Sequence, residues 1–514
     1  MFTLFLLISF IYNLLRAMKL TLVVTAGTKI ATSVGISELN SGAEVVPFLK
    51  VWGVLPSAVL FTYLFTYLAS RFSRAQVFYT IVSFFLSFFL FFTLFLYPNR
   101  ESLELVTVSR FLMANLPAGC KGLISAICYW PSSLFYIFSE MWSSMVLVML
   151  FWGYANEVTS VEEAKRFYAI FTLGANCSGI FSGQIARLLN FKDFNPSLPF
   201  GENAWDQSVA LQIGLLLLLG LGILVLFRYV DRQHSAPAET APTSVVPETG
   251  FKPKQKPKIT LLESFAYLAK SRYMLYITLI VVAYNIVYNL ADVVWTDHVH
   301  AALHGNADQI NAYMNNITSV TGIFATISAL ILSGNVIRRF GWTVTAMITP
   351  LIWFTMGAGV FACLLGQNNE QLMGILLEMF HLPLQTLVMI FASAQICLGR
   401  ASKYTVFDES KEIAFIPLPR DEKRKGKAVV DGIASRFGKA GGSLVIQATL
   451  IGCGGIASAM PWISLVFFAA IGIWVYAVYG LGQMVKKSVD EGQSLLQPGL
   501  SDSASEPNVR KATA

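Results

Sequence analysis

Charge is the scarcest property of this 514-residue chain: Asp, Glu, Lys and Arg make up 13% of it, against 55% hydrophobic residues. So few charges cannot solvate a water-soluble surface. Apolar runs recur along nearly the whole length, the composition of a polytopic membrane protein. Cysteine is sparse as well: Cys120, Cys128, Cys177, Cys363, Cys397 and Cys453 are scattered, with no CxxC pair, which excludes the common zinc and redox motifs. The five histidines fall in expected loops or near helix ends, and His298, His300 and His304 lack the partners of a metal site. No HExxH string or Ser-His-Asp set appears. GIASRFGK, from Gly432 to Lys439, imitates a phosphate loop, but five residues separate its glycines where four are needed, and Ala440 replaces the magnesium-binding hydroxyl. An embedded enzyme, a metal and a resident cofactor are therefore all without support.

What is present is a series of apolar segments, each near the ~20 residues that cross a bilayer. Twelve spans are expected, at 2–25, 47–69, 76–97, 131–155, 166–190, 209–229, 273–296, 313–334, 343–364, 379–399, 428–452 and 461–484. Segment 103–130 holds Arg110, Pro117, Gly119 and Lys121 and reads as an amphipathic helix with a re-entrant loop. Most of the 37 Lys and Arg residues then share one side, in loops at 71–74, 165–166, 228–272, 338–339 and 400–427 and in the C-terminal tail. The opposite side holds Lys29, Arg100, Arg110, Lys121 and Lys192. This bias makes both termini cytoplasmic. Residues 2–15 lack a basic flank and a cleavage site, so they form the body of the first span and not a signal peptide.

Between the sixth and seventh spans, Pro237, Pro242, Pro247, Pro253 and Pro257 alternate with Ser, Thr, Ala and Lys. That is a flexible linker, at 231–260, between an N-terminal six-helix bundle (1–230) and a C-terminal one (261–487). Residues 488–514 read as a disordered cytoplasmic tail. The expected fold is all-α, with twelve transmembrane helices in two six-helix bundles of major-facilitator type, rocking about a midplane site. The Lys run orients the chain in the bilayer and is no nucleic-acid patch.

Six charged residues lie well inside expected spans, away from the span ends: Arg16, Lys19, Glu140, Asp292, Arg436 and Lys439. Ionisable groups at bilayer depth face polar cavities, and four cations suit an anion. Arg16 and Lys19 share a helix face, as do Arg436 and Lys439, so each half offers a cationic pair suited to phosphates. Glu140 and Asp292 read either as counter-ions between substrates or as carriers of a coupling proton. Asn285, Asn289, Asn315, Asn316 and Gln447 are candidates to bond a base or ribose, or to act as interhelical glue.

Four strings carry a resemblance: SGAEVVPFLKVWGVLPSAVLF (41–61), SEMWSSMVLVMLFWGYANEVTSVEEAKRFYAIF (139–171), SKYTVFDESKEIAFIPL (402–418) and KGKAVVDGIASRFGKAGG (425–442). They resemble the ATP/ADP translocases of obligate intracellular bacteria and plastids, over nearly the whole chain. The resemblance implies a carrier in a bacterial inner membrane that exchanges ATP for ADP or takes up nucleoside triphosphates from a host cytosol. It also implies that Lys19, Glu140, Asp292 and Lys439 matter for transport. RAMKLT (Arg16 to Thr21) departs from the RDTKDT-like string of the exchangers, and Asp292 stands where glutamate is usual. These departures keep open proton-coupled symport, and GTP, UTP, CTP, NAD or a sugar phosphate as substrates.

Overall fold

The computed structural model describes residues 1–27, 42–158, 161–235, 271–332, 335–419, 423 and 426–491. Among them every regular element is helical. Nine helices among the described residues are long and apolar enough to cross a membrane. They are α1 (Phe2–Val24), α2 (Val45–Arg71), α3 (Arg74–Leu96), α6 (Trp130–Ala155), α8 (Ala204–Gln233, continuing to Ser235), α9 (Arg272–Ala302), α11 (Arg339–Leu365), α13 (Leu384–Ala414) and α15 (Ile456–Lys487). Three more, α7 (Val161–Leu188), α10 (Ala307–Leu332) and α14 (Ser435–Cys453), occupy the places of the fifth, eighth and eleventh expected spans but are not among those nine. Short helices complete the order: α4 (Val106–Asn115), α5 (Lys121–Cys128) and α12 (Glu370–Phe380).

The segment read as amphipathic and re-entrant is a pair of short helices broken at Pro117. α4 buries only Ser109, whereas α5 lies so close to the start of α2 that a Cβ on Gly122 would stand 2.3 Å from the Glu44 carbonyl oxygen. The expected linker and tail lie outside the described residues, except for 231–235 and residues up to 491, where α8 and the helix continuing α15 run on. The tenth span is longer than its apolar core suggests. It continues beyond residue 399 to Ala414 through a wide π-type turn at Lys403–Phe407, drawing in residues the sequence places in a loop.

Buried side chains form two large clusters. One is built from the first half, with Leu4, Phe85, Trp142 and Phe227 among its members, and the other chiefly from the second half, with Val287, Trp353 and Trp474. Helix α1 serves both: Leu14 and Met18 join the first cluster, Ala17 and Leu20 the second. Phenylalanine is not mainly a lipid-facing residue here. Phe78, Phe85, Phe89, Phe92, Phe135 and Phe151 are fully buried, and stacks of Phe88 on Phe138 (3.6 Å) and Phe78 on Phe227 (3.7 Å) tie α3 to α6 and α8. Such ring pairs add about 0.5–1.5 kcal/mol each beyond the area they bury.

The halves meet most closely on the side where α1 ends. A Cβ on Gly183 of α7 would lie 2.2 Å from Ser319 Oγ and 2.4 Å from the Asn315 carbonyl oxygen of α10. Only glycine permits this approach, the small-residue packing of membrane helices. Polar contacts seal the same side: Asn190 Nδ2 donates to the Asp308 carbonyl (2.8 Å), Gln212 Nε2 to Asn311 Oδ1 (3.2 Å) and Ser319 Oγ to the Ile180 carbonyl (3.2 Å). Toward the N-terminal end of α1 the halves instead enclose a cavity of about 1080 Å³.

Candidate functional site

Where α1, α6, α9 and α13 meet, the sequence places charge in otherwise apolar helices, and the fold brings those charges together. Lys19, 5% exposed, makes a short ion pair with Glu140 and stands 5.2 Å from the centre of the Tyr136 ring. Asp292, also 5% exposed, accepts from Lys50 Nζ (3.3 Å), an Arg400 guanidinium nitrogen (3.3 Å) and the Tyr288 hydroxyl (3.4 Å). The Tyr288 oxygen in turn accepts from Arg16 (2.5 Å) and Arg400 (3.1 Å). One phenol thus joins a guanidinium of the first half to one of the second.

Lys439 reaches this assembly from α14. Gly438 and Gly442 let α14 lie against α9, since their added Cβ atoms would stand 2.8 Å and 3.1 Å from the Cβ atoms of Asn285 and Asn289. Gly441, between them, faces open space. Lys439 lies within electrostatic reach of Glu140, Lys50 and Lys403, is solvent-accessible, and has no ion-pair partner among the described residues. Arg436, expected on the same face, is exposed and makes none of these contacts.

Sequence reasoning misses Lys50, Arg400, Lys403, Tyr288 and Asp408. Lys50 sits four residues inside the second expected span and is held by Asn289 Oδ1 (2.8 Å) as well as by Asp292. Arg400 and Lys403 fall in an expected cytoplasmic loop because the apolar run of the tenth span ends at residue 399; in the fold Arg400 is 3% exposed, and Lys403 pairs with Asp408 at 2.8 Å. Wide turns at Leu49–Val54 and Lys403–Phe407 hold or adjoin Lys50, Arg400, Lys403 and Asp408, though not Tyr288; others lie at Ser143–Phe151 and Ala428–Ala434, and one at Phe92–Leu96 is remote from the cluster. Such π-type turns are frequent at functional sites.

Six cations (Arg16, Lys19, Lys50, Arg400, Lys403, Lys439) face three carboxylates (Glu140, Asp292, Asp408), leaving a surplus of three positive charges. Arg16, Arg400 and Lys403 line the cavity with Asp408, Glu409 and Glu412, together with Phe5, Tyr12 and Trp152; Glu412 is engaged by Lys411 and Lys427. The Arg400 Nε is buried with no hydrogen-bond partner among the described residues, so it can donate to an incoming anion. Of the amides picked out in the sequence, Gln447 is committed to structure: Trp52 donates to its oxygen (3.1 Å) and its nitrogen donates to the Pro47 carbonyl (2.9 Å). Asn285 and Asn289 also donate within their helix, to the carbonyls of Val281 and Asn285. Asn315 donates to Asn311 on α10.

A two-part helical membrane protein with a central cationic cluster and a one-sided cavity is a carrier of major-facilitator type. A point mutant of the nucleoside transporter NupG, solved by crystallography, has the same fold, with a TM-score of 0.51 over 94% of this chain and 99% of that one at 13% identity. Residues 1–484 match the family described as TLC ATP/ADP transporter. ADP,ATP carrier protein 2 of Chlamydia trachomatis is 38% identical over 86% of this chain and 82% of its own, and that of Chlamydia pneumoniae is 36% identical over 96% and 89%. A chloroplastic ADP,ATP carrier protein 1 of Arabidopsis thaliana is 32% identical over 92% and 71%. This chain belongs to the TLC ATP/ADP transporter family.

Proposed function

We propose that this protein carries nucleoside di- and triphosphates across a bacterial inner membrane by alternating access, exchanging ATP for ADP as a secondary transporter. The observation that carries the reading is the cationic surplus where the halves join, at the closed end of a cavity large enough for a nucleotide. Desolvated cations bind polyphosphates strongly, and arginine does so bidentately. The family's relatives, whose names specify ADP and ATP, favour exchange over the symport and sugar-phosphate alternatives.

In this reading Arg16, Lys19, Lys50, Arg400 and Lys439 take up the phosphates, while Glu140 and Asp292 hold those cations when the site is empty. A buried cation stripped of its partner is costly, so an empty carrier keeps its internal ion pairs, and substrate replaces them. With both termini cytoplasmic, the cavity faces the cytoplasm and the glycine-packed side faces outward. Transport then requires the α7–α10 contact to open while the cavity closes.

The test is uptake of labelled ATP into proteoliposomes preloaded with ADP or left empty, with and without a pH gradient. Uptake that depends on internal ADP is the expected result. Uptake into empty vesicles driven by protons would replace exchange with symport. No uptake of any nucleotide under all these conditions would end the nucleotide reading.

A further inference from the structure

The phosphate-binding charges occupy one end of the cavity, and the other end has a different chemistry. Phe5, Tyr12, Leu147, Trp152, Ile170 and Leu173 line it. Trp152 is held edge-on by Phe5 (5.4 Å), Phe151 (5.7 Å) and Phe171 (6.3 Å), which makes it a fixed platform. Two amides stand in the same wall, Asn13 on α1 and Asn176 on α7.

Their hydrogen-bonding states differ in an informative way. Ser178 Oγ gives its only hydrogen to the Ala175 carbonyl (2.6 Å), so toward Asn13 it can only accept, and Asn13 Nδ2 donates to it (3.1 Å). That bond fixes the Asn13 amide and leaves its oxygen as an acceptor. Asn176 is 8% exposed, and its Nδ2 is buried with no hydrogen-bond partner among the described residues. Unpaired buried donors are rare, because each forgoes the hydration it had in the unfolded chain. Gly179, one turn beyond Asn176, stands against the Asn13 amide: its added Cβ would be 3.7 Å from Asn13 Nδ2. A fixed acceptor and an unfilled donor therefore line the same cavity as the aromatic platform, with Asn13 about one helical turn along α1 from Arg16.

We infer that Asn13, Asn176 and Trp152 form the nucleobase subsite of this carrier, the base stacking on Trp152 and its edge meeting the two amides. The inference rests on the nucleotide reading above and adds the group that distinguishes a nucleotide from a bare polyphosphate. Every base carries a hydrogen-bond donor beside an acceptor on its pairing edge, the complement of the Asn13 amide oxygen and the Asn176 amide nitrogen. Stacking tolerates any base, because each has a π-face. The pair thus recognises a base as such and selects weakly among bases.

The experiment measures competition against labelled ATP by unlabelled ATP and by inorganic tripolyphosphate, using the full-length protein in proteoliposomes. Wild type should prefer ATP over tripolyphosphate by at least about tenfold. Asn176→Leu, which removes the donor without adding charge, should weaken ATP by about tenfold, the worth of one hydrogen bond of ~1.4 kcal/mol. Tripolyphosphate should stay within about twofold, since its contacts lie at Arg16 and Arg400. Trp152→Leu, through lost stacking, should give the same selective loss and serves where Asn176→Leu fails to fold. Unchanged ATP competition, or parallel loss for both competitors, overturns the subsite. Wild type that takes up no labelled ATP overturns the nucleotide reading itself.

Discussion

Removing the charge of Asp292 separates two roles that a carboxylate in a cationic cluster can play. Asp292→Asn preserves shape and the bond to Tyr288 but leaves Lys50 and Arg400 without their shared counter-ion. Uncompensated buried charge costs about 3–5 kcal/mol, and the lower figure applies because the Lys50 side chain retains 19% exposure. For a chain of this size that is a melting temperature lower by roughly 3 °C without substrate. Binding should move the other way. One added unit of positive charge acting on a phosphate ~10 Å away, at an effective dielectric near 20, is worth roughly 1.7 kcal/mol before salt screening. ATP affinity should therefore rise by about threefold to tenfold, while exchange slows by at least about tenfold because the phosphates lose their competitor for the cations. Thermal melting in detergent with and without ATP, together with exchange in proteoliposomes, measures all three quantities. An unchanged melting temperature combined with weaker ATP binding would refute the counter-ion argument and make Asp292 a direct ligand.

Other perturbations test other parts of the architecture. Tyr288→Phe removes the oxygen shared by Arg16 and Arg400 and should release one half from the other; uptake of ATP into empty vesicles should rise relative to exchange, by about threefold or more for the ~1 kcal/mol of a lost hydrogen bond. Gly183→Ala drives a methyl group into the Asn315 carbonyl and should push the glycine-packed side apart, so exchange falls at least about tenfold and an engineered cysteine near Asn311 becomes reactive to membrane-impermeant reagents. Glu104 lies in the connection before α4, where burial and the neighbouring Glu101 raise its carboxyl to about 7. The folded protein therefore holds a proton there that the unfolded chain releases near its ordinary value of 4.5, and stability falls as pH rises from about 4.5 to about 7. Glu104→Gln should raise the melting temperature at pH 8 and leave it unchanged at pH 4.

Much of this carrier follows from local sequence because a bilayer imposes local rules. Each span must satisfy its own backbone and present apolar side chains, so membrane location and helix order can be read from hydropathy. The same rule makes an intramembrane charge conspicuous, which is why Arg16, Lys19, Glu140, Asp292 and Lys439 stand out. Lys50, Arg400 and Lys403 do not, because they sit where an apolar run begins or ends, and hydropathy cannot tell a helix that stops from one that continues with polar side chains turned inward. Arg436 shows the converse: a charge on the same helix as Lys439 that is exposed and makes no contact with the cluster among the described residues. The pairing of Lys19 with Glu140, the sharing of Asp292 by Lys50 and Arg400, and the junction at Tyr288 join residues more than 100 positions apart. No helical periodicity encodes such distances. Sequence determined the helices, the membrane and the surplus of positive charge; tertiary packing decided which charges neutralise one another, which remain open to an anion, and which side of the molecule is shut.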